Sequence, residues 1–242
     1  MPHFETARTV VGWIGQVTSL FLFAAPIATL VKIWKRKDVE EFSPNPYLAG
    51  VMNCLMWIYY GLPFVTGKNT LVITINSVGL VLEFIYIGIF LWYCKTKKQR
   101  VNVLWKLGAI VGIFVLAAGL ELGLTHKGFV RLTIAGVQST VFSICLYAMP
   151  LDVMRMVIKT KSVEYLPLPL CIAGLLNGID WSAYALFSKK IDPYILTANG
   201  LGAILGIVQV ILYIIYCRST PQHSKNPTDQ KQVELSNNEL IV

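Results

Sequence analysis

Asn76 and Asn199 stand inside long apolar runs, 123 positions apart, and Trp57 and Trp181 stand 124 apart in two other such runs. A side-chain amide carries two N–H donors and an oxygen with two lone pairs, so a facing pair of amides matches the mixed hydroxyls of a sugar. An indole adds a C–H-rich face that can stack on a pyranose and one N–H that can donate to a hydroxyl. A lone Asn within a membrane is ordinarily helix–helix glue, and a lone Trp an interfacial anchor. Recurrence of both pairs at matched positions favours a shared ligand. Trp13, Trp92 and Trp105, nearer run ends or loops, suit the interfacial role better.

Four prolines form a second set. Pro26, Pro46, Pro150 and Pro167 lie toward one end of four different runs. Each removes an i→i−4 hydrogen bond and is expected to bend its helix. At matched positions they read as a ring of hinges around a gate, although Pro46 and Pro167 also suit the first turn of a helix. Pro169 competes with Pro167 for the fourth place.

Signatures of other chemistries are missing. There is no G-x-x-x-x-G-K-[ST] phosphate loop and no H-E-x-x-H, and the three histidines (His3, His126, His223) are far apart in loops or termini. The five cysteines (Cys54, Cys94, Cys145, Cys171, Cys217) form no C-x-x-C, so neither a zinc site nor a disulfide framework is indicated. The chain is expected to be no enzyme and to need no cofactor or metal.

The elements that must position these residues are membrane helices. Apolar residues make up 55% of the chain, charged ones 14%, and the mean hydropathy is +0.60. A soluble domain carries about 25% charged residues. Seven apolar runs, at roughly 10–31, 46–65, 70–94, 102–124, 132–153, 167–187 and 194–217, are each near the length of about 20 residues that crosses a bilayer. Backbone groups in lipid must pair within their own segment, so the runs are helical. The first run is too long and too sparsely cationic at its start for a cleaved signal peptide.

Two stretches of about 85 residues repeat one another, a period well beyond the roughly 20–50 residues of soluble solenoids. Pro26 recurs as Pro150, Lys35-x-Lys37-x-Val39-Glu40 as Lys159-x-Lys161-x-Val163-Glu164, and Asn53-x-x-x-Trp57-x-x-Tyr60 as Asn177-x-x-x-Trp181-x-x-Tyr184. After a one-residue slip, Asn76-x-x-Gly79 recurs as Asn199-x-x-Gly202 and Tyr93-Cys94 as Tyr216-Cys217. The organisation is therefore 9–94, a first three-helix repeat; 95–131, a basic loop and a linker helix; 132–217, a second repeat; and 218–242, a polar tail read as disordered and cytosolic. Three spans end on the face opposite their start. One linker helix restores the starting side and makes the repeats parallel, a 3+1+3 all-α membrane fold.

The +8 charge reports orientation. With the N-terminus outside, fifteen of the Lys and Arg residues, among them Lys35, Arg36, Lys37, Lys95, Lys97, Lys98 and Arg100, fall on the cytosolic side. Only Arg8, Lys68, Lys127, Arg131, Lys189 and Lys190 fall on the other. This positive-inside bias places the N-terminus outside or in a lumen and the C-terminus in the cytosol. It also removes the need for a nucleic-acid partner.

The strings F-S-P-N-P-Y-L, N-C-L-M-W-I-Y-Y-G-L-P-F-V, L-V-I-T-I-N-S-V-G, V-I-K-T-K-S-V-E-Y-L-P and D-P-Y-I-L-T-A-N-G-L-G, within about 9–217, closely resemble the plant SWEET family of sugar transporters. SWEETs are themselves a standing example of parallel repeats related by an axis along the membrane normal. The resemblance implies a facilitator that carries mono- or disaccharides down their gradient, assembled as homo-oligomers, often trimers, or hetero-oligomers with related transporters. It implies that Asn76, Asn199, Trp181 and the position of Trp57 form the sugar site. Pro26, Pro46, Pro150 and Pro167 become the intrafacial gate, and Tyr60 with Asp192 the extrafacial one, where a phenol can donate to a carboxylate in a charge-assisted bond.

Two places depart from the family pattern, Asp180 before Trp181 and the pair Leu168-Pro169. Asp180 is expected either to face the pore or to sit against Ser182 or lipid headgroups; Glu83, a buried acid in the third run, is structural by resemblance. Neither has an intramembrane Lys, Arg or His in its run to pair with. The expected activity is therefore bidirectional uniport without proton coupling.

Glucose or a related hexose is expected over sucrose, because V-K-I-W-K, N-C-L-M-W and D-P-Y-I-L look closest to the hexose subgroup and a bulky Trp57 narrows the cavity. The alternatives are a seven-helix receptor, a sucrose-preferring relative and an amino-acid-carrying relative of the same fold. Family habit puts the protein in the plasma membrane, with the vacuolar membrane as the alternative.

Overall fold

The computed structural model describes residues 2–39, 42–67, 69–125 and 127–220. Glu40 and Lys68 lie outside them. So do residues 221–242, with Lys225, Lys231 and most of the segment read as a disordered tail. Every regular element among the described residues is helical.

The first span is α1 (Pro2–Ala24) and α2 (Ile27–Arg36), broken at Ala25–Pro26. Pro26 has no N–H to donate, and the chain closes a tighter turn instead, Ala25 N to Leu22 O at 3.1 Å. The fifth span breaks near the matched place, at Tyr147 between α7 (Gly128–Leu146) and α8 (Ala148–Thr160), and Pro150 falls in the first turn of α8. The other two prolines of the ring do not bend helices. Pro46 sits in the first turn of α3 (Asn45–Gly61) and Pro167 is the N-cap of α9 (Leu168–Leu186). Early positions like these have no intrahelical acceptor for an N–H, so proline costs little there.

The remaining elements are the short α4 (Pro63–Thr66), α5 (Thr70–Tyr93), the linker helix α6 (Lys97–Leu124) and α10 (Pro193–Tyr216). Two of the helices run further than the apolar stretches. α6 begins at Lys97 and α7 at Gly128 because a helix can continue through the headgroup zone, where charged side chains reach water. Five helical stretches, with α1–α2 and α7–α8 counted through their breaks, are long and apolar enough to cross a membrane. α3 and α9 are shorter, at 17 and 19 residues, and carry the polar Asn53, Asn177 and Asp180. They complete the seven spans.

The two repeats interlock. Within each, the second and third spans pack together, α3 on α5 and α9 on α10; between them, α1 packs on α9 and α3 on α7. Gly178 lets α9 and α10 approach until a Cβ there would lie 2.6 Å from the Ala203 backbone N. Close approach over small residues is how membrane helices associate, since lipid supplies no hydrophobic drive between them. One core cluster draws on both repeats, with Trp57, Tyr60 and Val72 beside Trp181, Tyr184 and Ile195. That cluster lies between the repeats, while two further clusters each lie within one half, around Ile33, Val51 and Phe90 and around Val157, Leu166 and Leu212.

The basic end shows the duplication in the backbone itself. α2 and α8 end on Lys37 and Lys161 in the left-handed conformation, φ 56° and 54°, a place usually given to Gly. Each lysine reaches a third-span tyrosine of its own repeat, Lys37 to Tyr93 Oη at 3.2 Å and Lys161 to Tyr216 Oη at 3.1 Å.

Candidate functional site

A cavity of about 500 Å³ lies on the axis between the repeats, within the range of about 300–1,000 Å³ typical of small-molecule sites. Its wall includes Asn76, Asn199, Trp57 and Trp181, and toward the basic end Pro26, Pro46 and Pro150. Pro167 is not in the wall, nor are Tyr60 and Asp192.

The four residues first singled out enter the cavity with their polar atoms already committed in part. Asn76 Nδ2 donates to Val72 O and Asn199 Nδ2 to Ile195 O, both at 2.9 Å. Each amide thus spends one N–H on its own helix, i to i−4, and keeps its oxygen and second N–H for the cavity. The indoles are committed too. Trp181 Nε1 donates to Ser19 Oγ at 2.9 Å, and Ser19 donates to Asn177 Oδ1 at 2.5 Å. Trp57 Nε1 donates to Ser143 Oγ at 2.8 Å, and Ser143 to Asn53 Oδ1 at 2.9 Å. Both tryptophans are about 95% buried, 6% exposed for Trp57 and 5% for Trp181.

These chains sort the amides by polarity. Asn53 and Asn177, which also line the cavity, use their oxygens on serines and leave amide nitrogens as donors. Asn76 and Asn199 leave oxygens as acceptors. A ligand between them meets amide donors from Asn53 and Asn177 and, from Asn76 and Asn199, an acceptor oxygen and a second N–H each, in twofold array with ring faces alongside. That is a lining for a compact, neutral polyol.

At the end opposite the prolines, Tyr60 Oη donates to Asp192 Oδ2 at 2.8 Å. Asp192 is held in place from the other side, since its Oδ1 accepts from Tyr194 N and Ile195 N and caps α10. The tie joins the second span of one repeat to the seventh span.

A family model described as a sugar efflux transporter for intercellular exchange matches the chain twice, over residues 9–98 and 133–221. Bidirectional sugar transporter SWEET5 of Arabidopsis thaliana is 43% identical over 240 residues, 99% of this chain and 98% of that protein. The chain belongs to the SWEET family. Bidirectional sugar transporter SWEET4 of Oryza sativa subsp. japonica is 46% identical over 218 residues, 90% of this chain and 83% of that protein. Among solved structures, the 3.7 Å resolution structure of a eukaryotic SWEET transporter superposes with a TM-score of 0.84 at 32% identity, covering 89% of this chain and 99% of that one. SWEETs are transporters and not enzymes, and the 3+1+3 arrangement of seven membrane helices is theirs.

Within this SWEET, Asp180 and Glu83 have different surroundings. Asp180 does not line the cavity and does not meet Ser182, whose Oγ bonds Gly178 O. Asp180 Oδ2 instead lies 3.2 Å from Thr18 Oγ1, which is equally close to Asn177 Oδ1. It is an inter-repeat contact beside the Trp181 chain. Glu83 does line the cavity, next to Tyr47 and Gly50. A Cβ on Gly50 would collide with Glu83 Oε1, so glycine is what makes room for the acid. Its match in the second repeat is Gly206, so only one half of the wall carries a carboxyl.

Four cavity residues went unread as site residues in the sequence. Asn53 and Asn177 stand out there as landmarks of the repeat, and Ser19 and Ser143 share the 124-residue offset. The offset was the available signal. Serine is too common in apolar helices to be noticed without it.

Proposed function

We propose that this chain is a facilitative, bidirectional sugar uniporter that works by alternating access, with glucose or a related hexose as its substrate. The observation that carries this reading is the twofold set of amides and indoles lining one cavity between the repeats. Asn76 and Asn199 accept from and donate to sugar hydroxyls, while Trp57 and Trp181 supply walls rather than donors, because their N–H groups are taken by serines. The names of its plant relatives as bidirectional sugar transporters support the same reading.

The ends of the cavity serve as gates. Pro26, Pro46 and Pro150 border its basic end, and Pro167 acts from the start of α9, outside the wall. The breaks at Pro26 and before Pro150 let α2 and α8 swing against α1 and α7. The Tyr60–Asp192 bond is the extrafacial gate, and it is the tie that must break for the cavity to open at that end. The N-terminus lies outside and the C-terminus in the cytosol, in the plasma membrane, and the protein assembles as an oligomer.

Hexose preference is supported by bulk. Two indoles pinned across the cavity from one another's repeats leave less width than smaller residues would. The test is radiolabelled flux into proteoliposomes over a panel of glucose, fructose, sucrose and amino acids. Glucose equilibration with sucrose excluded is the expected result, and Trp57→Ser should admit sucrose. Absence of any sugar flux from correctly inserted protein would favour a receptor.

A further inference from the structure

The seal beyond the cavity has a second half. Tyr184 follows Tyr60 by 124 positions, and Asn69 precedes Asp192 by 123, the two offsets of the repeat. Tyr184 Oη donates to Asn69 Oδ1 at 2.7 Å, beside the 2.8 Å bond of Tyr60 to Asp192. Tyr60 is 1% exposed and Tyr184 4%. Both bonds cross between the repeats, one from the first to the second and one from the second to the first. Parting the repeats at this end must break both.

We propose that Tyr184 and Asn69 form a second extrafacial latch, the weaker partner of Tyr60 and Asp192, with Arg8 as its cover. The inference rests on the alternating-access reading above. Three features make the pair unequal. Asp192 offers a carboxylate, whose hydrogen bonds are about twice as strong as those of neutral acceptors, whereas Asn69 offers an amide. Asp192 is braced by capping α10; Asn69 stands at the same place before α5, but its side chain caps nothing and its oxygen serves Tyr184. Finally, the Arg8 guanidinium lies 4.3 Å from the centre of the Tyr184 ring, and the position matching Arg8 in the second repeat is Leu132. A cation over the ring draws electron density from the phenol, which favours its O–H as a donor and partly offsets the neutral acceptor. The latches therefore open unequally, and the Tyr184 side yields first.

The test uses cysteine access. The five native cysteines are replaced by serine and Val72→Cys is introduced; Val72 lines the cavity one turn from Asn76. The protein is reconstituted with its N-terminal face outward and exposed to an impermeant maleimide. Losing one neutral hydrogen bond should raise the labelling rate about fivefold in Tyr184→Phe and in Asn69→Ala. Tyr60→Phe should raise it further. Asn69→Asp, which makes the second latch charge-assisted, should lower it below the starting protein, a sign that a folding defect would not produce. Labelling raised in Tyr60→Phe but unchanged in Tyr184→Phe overturns the second latch alone. Labelling unchanged in both overturns it together with the gate reading.

Discussion

Ser19 accepts the indole N–H of Trp181 at 2.9 Å, across the boundary between the repeats. Ser143 does the same for Trp57 from the opposite side, at 2.8 Å. Each tryptophan belongs to one repeat and takes its orientation from the other. The rings that flank the cavity are thus fixed only when both halves are together, and any movement of α1 against α9, or of α7 against α3, turns a ring.

Ser19→Ala and Ser143→Ala should each loosen one indole. A buried donor left without a partner costs about 1–3 kcal/mol, so the thermal midpoint in detergent should fall and sugar affinity with it. Removing both partners, as in Ser143→Ala with Trp57→Phe, should restore most of the stability but not the affinity. A double mutant no more stable than Ser143→Ala would mean that the serine acts through packing alone.

Asn76→Ala and Asn199→Ala should each abolish flux while leaving membrane insertion intact. Each amide gives an oxygen and an N–H to the cavity, and a sugar hydroxyl facing a methyl group loses both. Near-normal uptake by both variants would assign the pair to helix packing, where the bonds to Val72 O and Ile195 O already place one N–H of each.

Much of this arrangement is legible in the chain. Apolar runs mark seven spans, because lipid leaves the backbone no other way to pair, and the offset of 124 alone relates Asn53 to Asn177 and Trp57 to Trp181. Direction is less legible. An indole N–H in an apolar run can turn to ligand or to protein, and here it turned to serines 86 and 162 residues away. The prolines show the same limit: Pro26 breaks a helix while Pro46 begins one, and residue type alone is common to both. The polarity of each amide, donor or acceptor, depends on which neighbour takes its other half.

Gly178→Ala should destabilise the protein by about 1–3 kcal/mol, the usual cost of overpacking. Its Cβ would lie 2.6 Å from the Ala203 backbone N, and backbone cannot step aside as a side chain can. Gly174, one turn earlier on α9, would place a Cβ with nothing within 4 Å. Gly174→Ala should be neutral or slightly stabilising. Equal thermal midpoints for the two variants would contradict the tight α9–α10 contact.

A proton gradient across proteoliposomes with equal glucose on both sides should cause no net movement. Asp180 is held by Thr18 beside the repeat boundary rather than in the cavity, and Glu83 has no cationic side chain among the residues that line the cavity with it. A relay needs a group that meets both sides in turn and a partner to exchange with, and neither acid has both. Accumulation of glucose under the gradient, lost in Glu83→Gln or Asp180→Asn, would replace uniport with symport.

The cross-repeat bonds also set an order of synthesis. Trp57 waits 86 residues for Ser143, and Tyr60 waits 132 for Asp192. When α3 enters the bilayer, its indole and phenol donors face a membrane in which their partners have not yet been made. The first repeat is therefore inserted before it is finished. Its inner surface is completed only as the last span leaves the ribosome, and a chain stopped after the linker helix would carry four spans with no closed cavity between them.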